Sequence, residues 1–399
     1  MKVVIVGGGI GGLTAALAFQ HFGWDVELLE TSPHIAGVGA GIQISPNGMK
    51  VFARLGLAED IVQHGFQPRA LEMKFGKSGR QIFNVPIADE ALSRWHANYV
   101  HIHRADLIEC LSGALRRRAG NCIHLDATLA QYRQTDDAVV AELTNGRQHH
   151  GDILVGADGI HSTVRTQMFG ASSPDFTGNI AWRAVVPVEK LGQWTPPDSA
   201  CIWTGPGRHA VTYLLRNGKL ANFVGVVEHD QWRSESWSER GSRDEALKDF
   251  AGWHPVITTL ITKADEHFRW ALFDRAPLPQ WHQGRAVLIG DACHPTLPFM
   301  AQGAVMAIED AYLLAQLCTG SGQQPQQALA TFYNSRIART SRIQAGSRAS
   351  MSTFHKRTLF GKAASYGPMW LAGKLIPGLI YAQQDPIYGY DITAIEHGL

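Results

Sequence analysis

Cysteine is scarce in this chain of 399 residues, and its spacing matches no known pattern of use. The five cysteines are odd in number, scattered and never in a Cys-x-x-Cys arrangement: Cys110, Cys122, Cys201, Cys293 and Cys318. That distribution indicates neither a disulfide framework nor a zinc site. We therefore expect a reduced, cytoplasmic protein that binds no metal.

A charge excess of one sign and long apolar runs are also missing. The formal net charge is +1 at pH 7, which argues against nucleic acid as the main partner. The apolar C-terminal stretch, 360–391, is interrupted by lysines and prolines, so it lacks the ~18 uninterrupted apolar residues of a membrane-spanning helix. We expect it to pack over the core or against a second subunit of a homodimer, with attachment to a membrane surface as the alternative. The chain enters an apolar strand directly after Met1, which predicts that it carries no signal peptide.

The chain is long enough for two domains, since single cores rarely grow beyond ~250–300 residues. Its first motif is an apolar strand over 3–6 that leads into Gly7, Gly9 and Gly12 and an alanine-rich helix. In such a turn the first glycine permits the bend, the second lets backbone N–H groups approach a pyrophosphate, and the third lets helix and strand pack closely. Glu30 closes a second strand, where a carboxylate can accept hydrogen bonds from a ribose. This arrangement favours FAD or NAD.

Two later segments repeat the pattern of a buried strand that ends in glycine and aspartate. In the first, the strand is followed by Asp158 and Gly159 and then by the start of a helix. In the second, Gly290 and Asp291 follow the strand, and a proline-containing loop leads to a helix that begins near Gly303. A single glycine-rich loop would indicate only a dinucleotide. The three segments together predict one nucleotide site assembled from distant parts of the chain.

The three motifs, in this order, resemble those of the single-component FAD-dependent aromatic hydroxylases, the flavoprotein monooxygenases that include salicylate hydroxylase and 6-hydroxynicotinate 3-monooxygenase. The resemblance covers nearly the whole chain. It implies FAD as cofactor, NADH or NADPH as transient electron donor, and O₂ as co-substrate. It also implies that a small hydroxybenzoate, salicylate or hydroxypyridine-carboxylate is hydroxylated through a flavin C4a-hydroperoxide. NAD(P)H use without a second Rossmann motif is part of the same resemblance.

The resemblance assigns roles to the motif residues. Asp291 would accept hydrogen bonds from the ribityl hydroxyls, and Gly303 would face the pyrimidine carbonyl of the flavin. Asp158 and Gly159 would shape the approach of the pyrophosphate and of NAD(P)H. For His294 and Cys293, which follow Asp291 in the third motif, we expect packing roles only.

The predicted fold class is α/β, with a Rossmann-like FAD-binding domain, an interleaved antiparallel β-sheet substrate domain and a helical C-terminal segment. Alternation of apolar residues with a period of two, from about 174 to 272, indicates the sheet. We assign 1–75, 98–173 and 273–350 to the FAD-binding domain, 76–97 and 174–272 to the substrate domain, and 351–399 to the C-terminal segment.

A hairpin allows individual side chains of the sheet to be placed. Asn217-Gly218 between two alternating strands is a strong two-residue turn signal, and it pairs position 213 with 222. One face then carries four side chains that would line the substrate: His209, Val211, Tyr213 and Asn222. A histidine and a tyrosine packed in an ordinary core are the alternative. The resemblance favours a catalytic pair, because 6-hydroxynicotinate hydroxylases carry the same R-H-x-x-x-Y strand pattern.

The resemblance also implies roles for residues in other segments. Arg104 matches a position where an arginine contacts the ribityl or phosphate region, with a solvated helix start as the alternative. Gly41 would allow close backbone approach to the flavin. Gln43 and Pro295 are placed at the substrate or flavin edge. The 6-hydroxynicotinate enzymes carry histidine in place of Gln43, whose amide cannot act as a base. The substrate of those enzymes is therefore not assigned to this chain by the resemblance.

In this interpretation His209 takes the phenolic proton, since an unperturbed imidazole titrates near pH ~6.5, and Tyr213 orients the phenolate or the imidazole. Two other functions fit parts of the pattern. A monooxygenase or epoxidase of a larger polycyclic or isoprenoid substrate uses the same framework. A noncatalytic FAD-binding sensor would need only the cofactor motifs.

Overall fold

A computed structural model of the chain describes residues 1–35, 40–229, 240–320 and 324–395. Its strands in chain order are β1 (Lys2–Val6), β2 (Asp25–Leu29), β3 (Gly41–Ile44), β4 (Ala70–Phe75), β5 (Gln81–Pro86), β6 (Val100–His103), β7 (Ile123–His124), β8 (Leu129–Gln134), β9 (Val139–Leu143), β10 (Gln148–Gly151), β11 (Ile153–Gly156), β12 (Asp175–Pro187), β13 (Ser199–Gly205), β14 (Arg208–Leu215), β15 (Leu220–Glu228), β16 (Phe268–Asp274), β17 (His282–Gln283) and β18 (Ala286–Leu288). Its α-helices are α1 (Ile10–His21), α2 (Pro46–Arg54), α3 (Ala58–His64), α4 (Ala88–Trp95), α5 (Arg104–Ala119), α6 (Thr163–Phe169), α7 (Arg243–Asp249), α8 (Pro255–Lys263), α9 (Gly303–Thr319), α10 (Pro325–Phe354), α11 (Leu359–Leu375) and α12 (Gly378–Tyr388).

The nucleotide-binding half is built on a six-stranded sheet in the order β17-β18-β11-β1-β2-β7, parallel except for β17. Its central strands are buried apolar runs, as expected for a parallel sheet, and α1 packs against β1 and β2. Val6 pairs with Gly156, and Gly156 pairs with Leu288, so β1, β11 and β18 end side by side. The three motifs therefore meet at one edge of the sheet, as predicted.

A second, seven-stranded sheet has the order β16-β12-β15-β14-β13-β4-β5. Every neighbouring pair is antiparallel except β13 and β4, which run parallel. This exception differs from the wholly antiparallel sheet of the sequence analysis. It arises because β4 enters the sheet from an earlier part of the chain, so no hairpin sets its direction. Since β4 spans Ala70–Phe75, we place the start of the substrate domain near residue 70 and not at 76.

The predicted hairpin is present with the predicted register. Tyr213 pairs with Asn222 and Leu215 with Leu220, while Asn217 and Gly218 take φ values of 53° and 85°. The loop comprises residues 216–219, and positive φ at its two central residues is the mark of the turn that suits the right-handed twist of the strands. One face of β14 and β15 packs under α7 and α8, and the other face turns towards the nucleotide-binding half.

The C-terminal helices pack over the substrate sheet, as the sequence analysis expected. Helix α11 lies along β5. The Tyr381 hydroxyl donates to the Pro86 carbonyl at 2.6 Å, and Arg94 pairs with Asp385 at 2.7 Å. Within the described parts of the chain, no helix is both long and apolar enough to cross a bilayer.

Candidate active site

The first glycine turn combines close packing with an open surface. Gly7 has φ of +106°, and a Cβ there would lie 2.4 Å from the Ala157 carbonyl oxygen. A Cβ on Gly12 would lie 1.9 Å from the Gly7 carbonyl oxygen, so any side chain would push α1 off the strand. The Cβ position of Gly9 has no atom within 4 Å. Two glycines are thus required by packing, while Gly9 borders free space at the N-terminus of α1, where a phosphate group would fit.

Glu30 holds the same turn from the next strand. Its Oε2 accepts a hydrogen bond from Gly8 N at 2.6 Å, and its Oε1 accepts one from Ser32 N at 2.8 Å. Each carboxylate oxygen keeps a further lone pair, so the half-buried group is still able to bind a ribose hydroxyl. The ribose contact itself stays a prediction.

The second motif is a capped helix start. Asp158 Oδ1 accepts from the Ser162 hydroxyl at 2.5 Å, and Oδ2 accepts from Thr163 N at 2.8 Å, which caps α6. Gly159 adopts φ of +75° to make the turn. The buried Arg165 guanidinium donates to the Ala292 carbonyl at 3.3 Å and so ties this motif to the third. The carboxylate of Asp158 is therefore used by the protein itself, and its direct contact with a cofactor stays a prediction.

Asp291 and Arg104 face one deep cleft. Both side chains are open to solvent, yet protein surrounds them. Burial raises the pKa of Asp291, against the effect of the nearby His294 and Arg104. Burial lowers the pKa of Arg104, and the Asp291 carboxylate partly offsets that shift. A carboxylate and a guanidinium that are accessible but poorly hydrated fit a site for the hydroxyl and phosphate groups of a dinucleotide.

The N-terminus of α9 borders the same cleft. Gly303 opens this 17-residue helix, and the nearest atom to a Cβ placed there is 3.9 Å away. The preceding residue, Gln302, is fixed because its amide donates to Ser45 Oγ at 2.9 Å and its carbonyl accepts from Asn47 at 3.1 Å. Gly290, at φ of +61°, would bring a Cβ to 2.9 Å from Ala307 of α9. A helix N-terminus with an open first residue suits an acceptor atom that gains negative charge.

The substrate sheet contacts this cleft through Asn222 and Tyr213. Asn222 Oδ1 accepts from Gly41 N at 2.8 Å, and its Nδ2 is buried without a hydrogen bond to any described residue. A Cβ on Gly41 would lie 2.6 Å from the Tyr213 ring, so only glycine allows this approach. Gln43, two residues on, accepts a hydrogen bond from the Tyr99 hydroxyl at 2.7 Å. The predicted edge residues from the two halves are therefore brought together.

Arg183 is a site residue that the sequence analysis missed. It lies on β12, stacks over the Trp270 ring at 4.3 Å, and has a buried Nε without a hydrogen bond to any described residue. Burial lowers its pKa to about 10, and Tyr213 favours its charged form. Burial raises the pKa of Tyr213, while Arg183 opposes that shift. A single arginine in the otherwise apolar stretch NIAWRAVVPV was the available signal.

His209 and Tyr213 lie at different ends of the face. They are four residues apart on an extended strand, which separates them by about 13 Å. The Tyr213 ring packs on His101 at 4.6 Å, whereas the His209 ring packs on Phe299 at 5.2 Å and Phe354 at 5.1 Å. The expectation that Tyr213 orients the His209 imidazole is therefore wrong, because this separation exceeds hydrogen-bond reach. A role of Tyr213 towards a bound ring stays a prediction.

The His209 imidazole is instead held by His355. His209 Nδ1 and His355 Nε2 are 2.8 Å apart, and His209 is almost completely buried. Burial, with a smaller contribution from His355, holds the pKa of His209 well below the ordinary value of 6.5 that the sequence analysis assumed. The ring is thus neutral near pH 7. Val211 is half-buried and lies between His209 and Tyr213 on the same face. Elsewhere, the carbonyl of Pro295, another predicted edge residue, accepts a hydrogen bond from Gln344 at 2.9 Å.

His294 belongs to a network of buried charges, called the buried charge network below. Its Nε2 lies 2.6 Å from Asp310 Oδ2, and Asp310 Oδ1 accepts from Arg336 at 2.7 Å. Arg336 also pairs with Glu309 at 2.7 Å. Cys293 is buried, and burial raises its pKa well above 9.0, so the thiol is unreactive. Packing roles for both residues agree with this geometry.

The fold also gathers a group that the sequence spacing did not suggest. The ligand atoms of Glu27, His124 and His149 lie within 4.8 Å of one another at the edge of the first sheet. Lys2 forms an ion pair with Glu27 at this position and so competes with a cation for that carboxylate. The absence of a bound metal therefore stays a prediction.

The chain belongs to the FAD binding domain family, whose model matches residues 1–347. The 6-hydroxynicotinate 3-monooxygenase of Bordetella bronchiseptica is 34% identical over 346 residues, which cover 86% of this chain and 89% of that protein. The 3-hydroxybenzoate 6-hydroxylase of Polaromonas naphthalenivorans is 34% identical over 395 residues, or 98% of this chain and 96% of that protein.

Two solved structures share the fold of this chain. HpxO from Klebsiella pneumoniae, complexed with FAD and uric acid, matches with a TM-score of 0.84 and 25% identity, and the match covers 95% of each chain. A salicylate hydroxylase substrate complex matches with a TM-score of 0.81 and 25% identity, over 98% of this chain and 96% of that one. The predicted resemblance to FAD-dependent aromatic hydroxylases, the α/β fold class with its helical C-terminal segment, and FAD as cofactor are thereby confirmed.

Proposed function

We propose that the protein is an FAD-dependent monooxygenase that hydroxylates a small, anionic aromatic ring of the hydroxybenzoate or hydroxypyridine-carboxylate type, with NADH or NADPH as electron donor and O₂ as co-substrate. One observation carries this proposal. Arg104 lies near enough to interact with the charges of both Asp291 and Arg183, and Arg183 shares one face of the substrate sheet with Tyr213. Two relatives described above are named for hydroxylation of 6-hydroxynicotinate and of 3-hydroxybenzoate, and these names support the same class of substrate.

In this proposal Gly9, Glu30, Arg104 and Asp291 hold FAD, which supplies reducing equivalents and oxygen activation when bound. Arg183 provides a cation whose buried Nε lacks a protein partner among the described residues, so an anionic ring would compensate its burial. Tyr213 would donate its hydroxyl to that ring, and His209 would take the phenolic proton. The apolar side chains of Val211 and Phe299 would keep water from the reacting atoms.

Two further expectations belong to the proposal. The five cysteines are all free and buried, which suits the reducing cytoplasm predicted from the sequence. A homodimer stays a prediction. Exposed apolar side chains on α11 and α12, among them Leu371, Leu375 and Leu379, offer a surface for it.

The test is a screen of substituted benzoates, phenols and pyridines for accelerated NADH and NADPH oxidation, with product mass measured. Hydroxylated single-ring product supports the proposal. A protein that binds FAD but shows no acceleration with any ring would be a noncatalytic FAD-binding protein, and turnover of polycyclic or isoprenoid compounds alone would establish the alternative substrate class. In parallel, Gly9→Val and Asp291→Ala should each lower the flavin content of purified protein. Full FAD occupancy in both variants would remove the proposed cofactor site.

A further inference from the structure

A chain of three side chains connects the buried sheet face to solvent. His209 Nδ1 lies 2.8 Å from His355 Nε2, and His355 Nδ1 lies 2.9 Å from Glu228 Oε1. The exposed fraction rises along this chain from 1% for His209 to 4% for the side chain of His355 and 37% for that of Glu228. The innermost imidazole therefore has no access to bulk water, while the outermost carboxylate does.

Three separate elements build this chain. His209 lies near the start of β14, Glu228 is the last residue of β15, and His355 follows the end of α10. The backbone of Gly207, at φ of +67°, fixes the outer two members. Its N–H donates to the His355 carbonyl at 3.4 Å, and its carbonyl accepts from Glu228 N at 3.0 Å. The positive φ favours glycine at this position.

We infer that His355 and Glu228 form a proton relay that carries the phenolic proton of the bound ring from His209 to solvent. This inference rests on the proposed function and on His209 as the acceptor. The phenol O–H bond breaks as His209 Nε2 takes the proton. His209 Nδ1–H then donates to His355 Nε2, His355 Nδ1–H donates to the Glu228 carboxylate, and Glu228 releases a proton to water. One proton enters and one leaves, and no oxidant is involved.

The charges around the chain set the protonation state of each member. Burial lowers the pKa of His355, Glu228 opposes the shift, and Arg357 and Arg208 add to it. Burial would raise the pKa of Glu228, but its hydrogen bonds with His355 and Arg357 bring it below the ordinary value. Towards His209, the neighbouring rings of Phe299 and Phe354 are uncharged. The chain thus consists of two neutral imidazoles and an ionised carboxylate at the outer end.

A relay solves a problem that an isolated base would have. A buried imidazole that kept the phenolic proton would become a cation among phenylalanine rings, at a considerable desolvation cost. Passing the proton on leaves His209 neutral and puts the charge change on a carboxylate in contact with water. His355 and Glu228 are therefore positioning residues, since they act on the ring only through His209.

The test uses full-length FAD-loaded protein with 3-hydroxybenzoate or 6-hydroxynicotinate, whichever is turned over. Glu228→Gln and His355→Gln keep hydrogen-bonding side chains but remove the proton-carrying group. Each should bind FAD normally, slow proton release to a pH indicator in stopped flow at least about tenfold, and change the pH profile of kcat. His267→Gln and Glu266→Gln are controls: His267 is a buried histidine that bonds the Ile261 carbonyl, and Glu266 is an exposed partner of Arg240.

A proton inventory of wild-type kcat in H₂O–D₂O mixtures supports the variants and needs none of them to fold. Several protons in flight give a curved plot, and a linear plot would contradict the relay. Proton release at the wild-type rate in both relay variants, with His209→Ala strongly slowed, would overturn the relay and leave the proposed function standing. A wild-type protein that hydroxylates no aromatic ring would overturn both together.

Discussion

His209 and His294 are equally buried, and each is hydrogen-bonded through one ring nitrogen. His294 meets Asp310, and the connection continues through Arg336 and Glu309 to the partly exposed Arg339, but the two guanidinium groups do not give up a proton. His209 meets His355, and that connection ends at a solvent-exposed carboxylate. Burial alone therefore does not distinguish a structural histidine from one with the catalytic role proposed for His209. What distinguishes them is whether a proton taken up by the ring has a route to water.

The largest expected effect is on the rate of hydroxylation, which alanine at position 209 should lower far more than alanine at position 294. His209→Ala should retain FAD and slow hydroxylation by ~10²–10⁴-fold, the usual range for a positioned acid–base group. His294→Ala should chiefly lower the free energy of unfolding, by about 1–3 kcal/mol, because it leaves a buried carboxylate short of a partner. Single-turnover rates and denaturant melts of both variants give the comparison. If the two losses are reversed, the assignment of roles is wrong.

The buried charge network of Asp310, Arg336 and Glu309 should respond most strongly in stability. Arg336→Met leaves the carboxylates of Glu309 and Asp310 under-compensated and should cost about 3–5 kcal/mol in the free energy of unfolding. Arg339→Met is the matched control, since Arg339 also pairs with Glu309 at 2.8 Å but is partly exposed. Its loss should be clearly smaller. Equal losses in denaturant unfolding would show that burial of the guanidinium is not what matters.

Acid should lower the free energy of unfolding through Asp310 and through His209 in different pH ranges. Asp310 is held at a pKa of about 2, because His294 and Arg336 outweigh the opposing effect of burial. Its contribution to stability is therefore complete above about pH 4 and is lost as pH falls towards 2. The pKa of His209 is also lowered, so its contribution starts to be lost below about pH 6.5, where the unfolded chain binds the proton first.

Unfolding free energies between pH 2 and 7 check both ranges. Asp310→Asn should flatten the dependence below pH 4, and His209→Gln should flatten it just below pH 6.5. An unchanged slope in either variant would show that the group in question is not the source of the acid sensitivity.

The smallest expected effect concerns Tyr213. Tyr213→Phe removes one hydroxyl and keeps the ring that packs on His101 and Gly41. We expect a raised KM or increased peroxide release, with kcat reduced much less than in His209→Ala. Coupled turnover with peroxide detection measures this. A loss as large as that of His209→Ala would place proton transfer at Tyr213 and weaken the contrast between the two ends of the sheet face.

The sequence alone determined the parts of the molecule that depend on local backbone geometry. Glycines that must take positive φ or tolerate close packing, such as Gly7 and Gly12, indicate a turn wherever it occurs. Asn217-Gly218 likewise specified the register that pairs Tyr213 with Asn222. Because parallel strands that end in such turns share one edge, the assembly of the nucleotide site from three segments followed as well.

Only the tertiary structure decided which side chains meet. Arg183, His355 and Glu228 come from β12, from the end of α10 and from the end of β15, and no fixed spacing connects them. The depressed pKa of His209 and the closed partnership of His294 with Asp310 depend on burial created by elements far away in the chain. Local sequence encodes the bends of the backbone, whereas desolvation and side-chain pairing exist only after the two sheets have packed together.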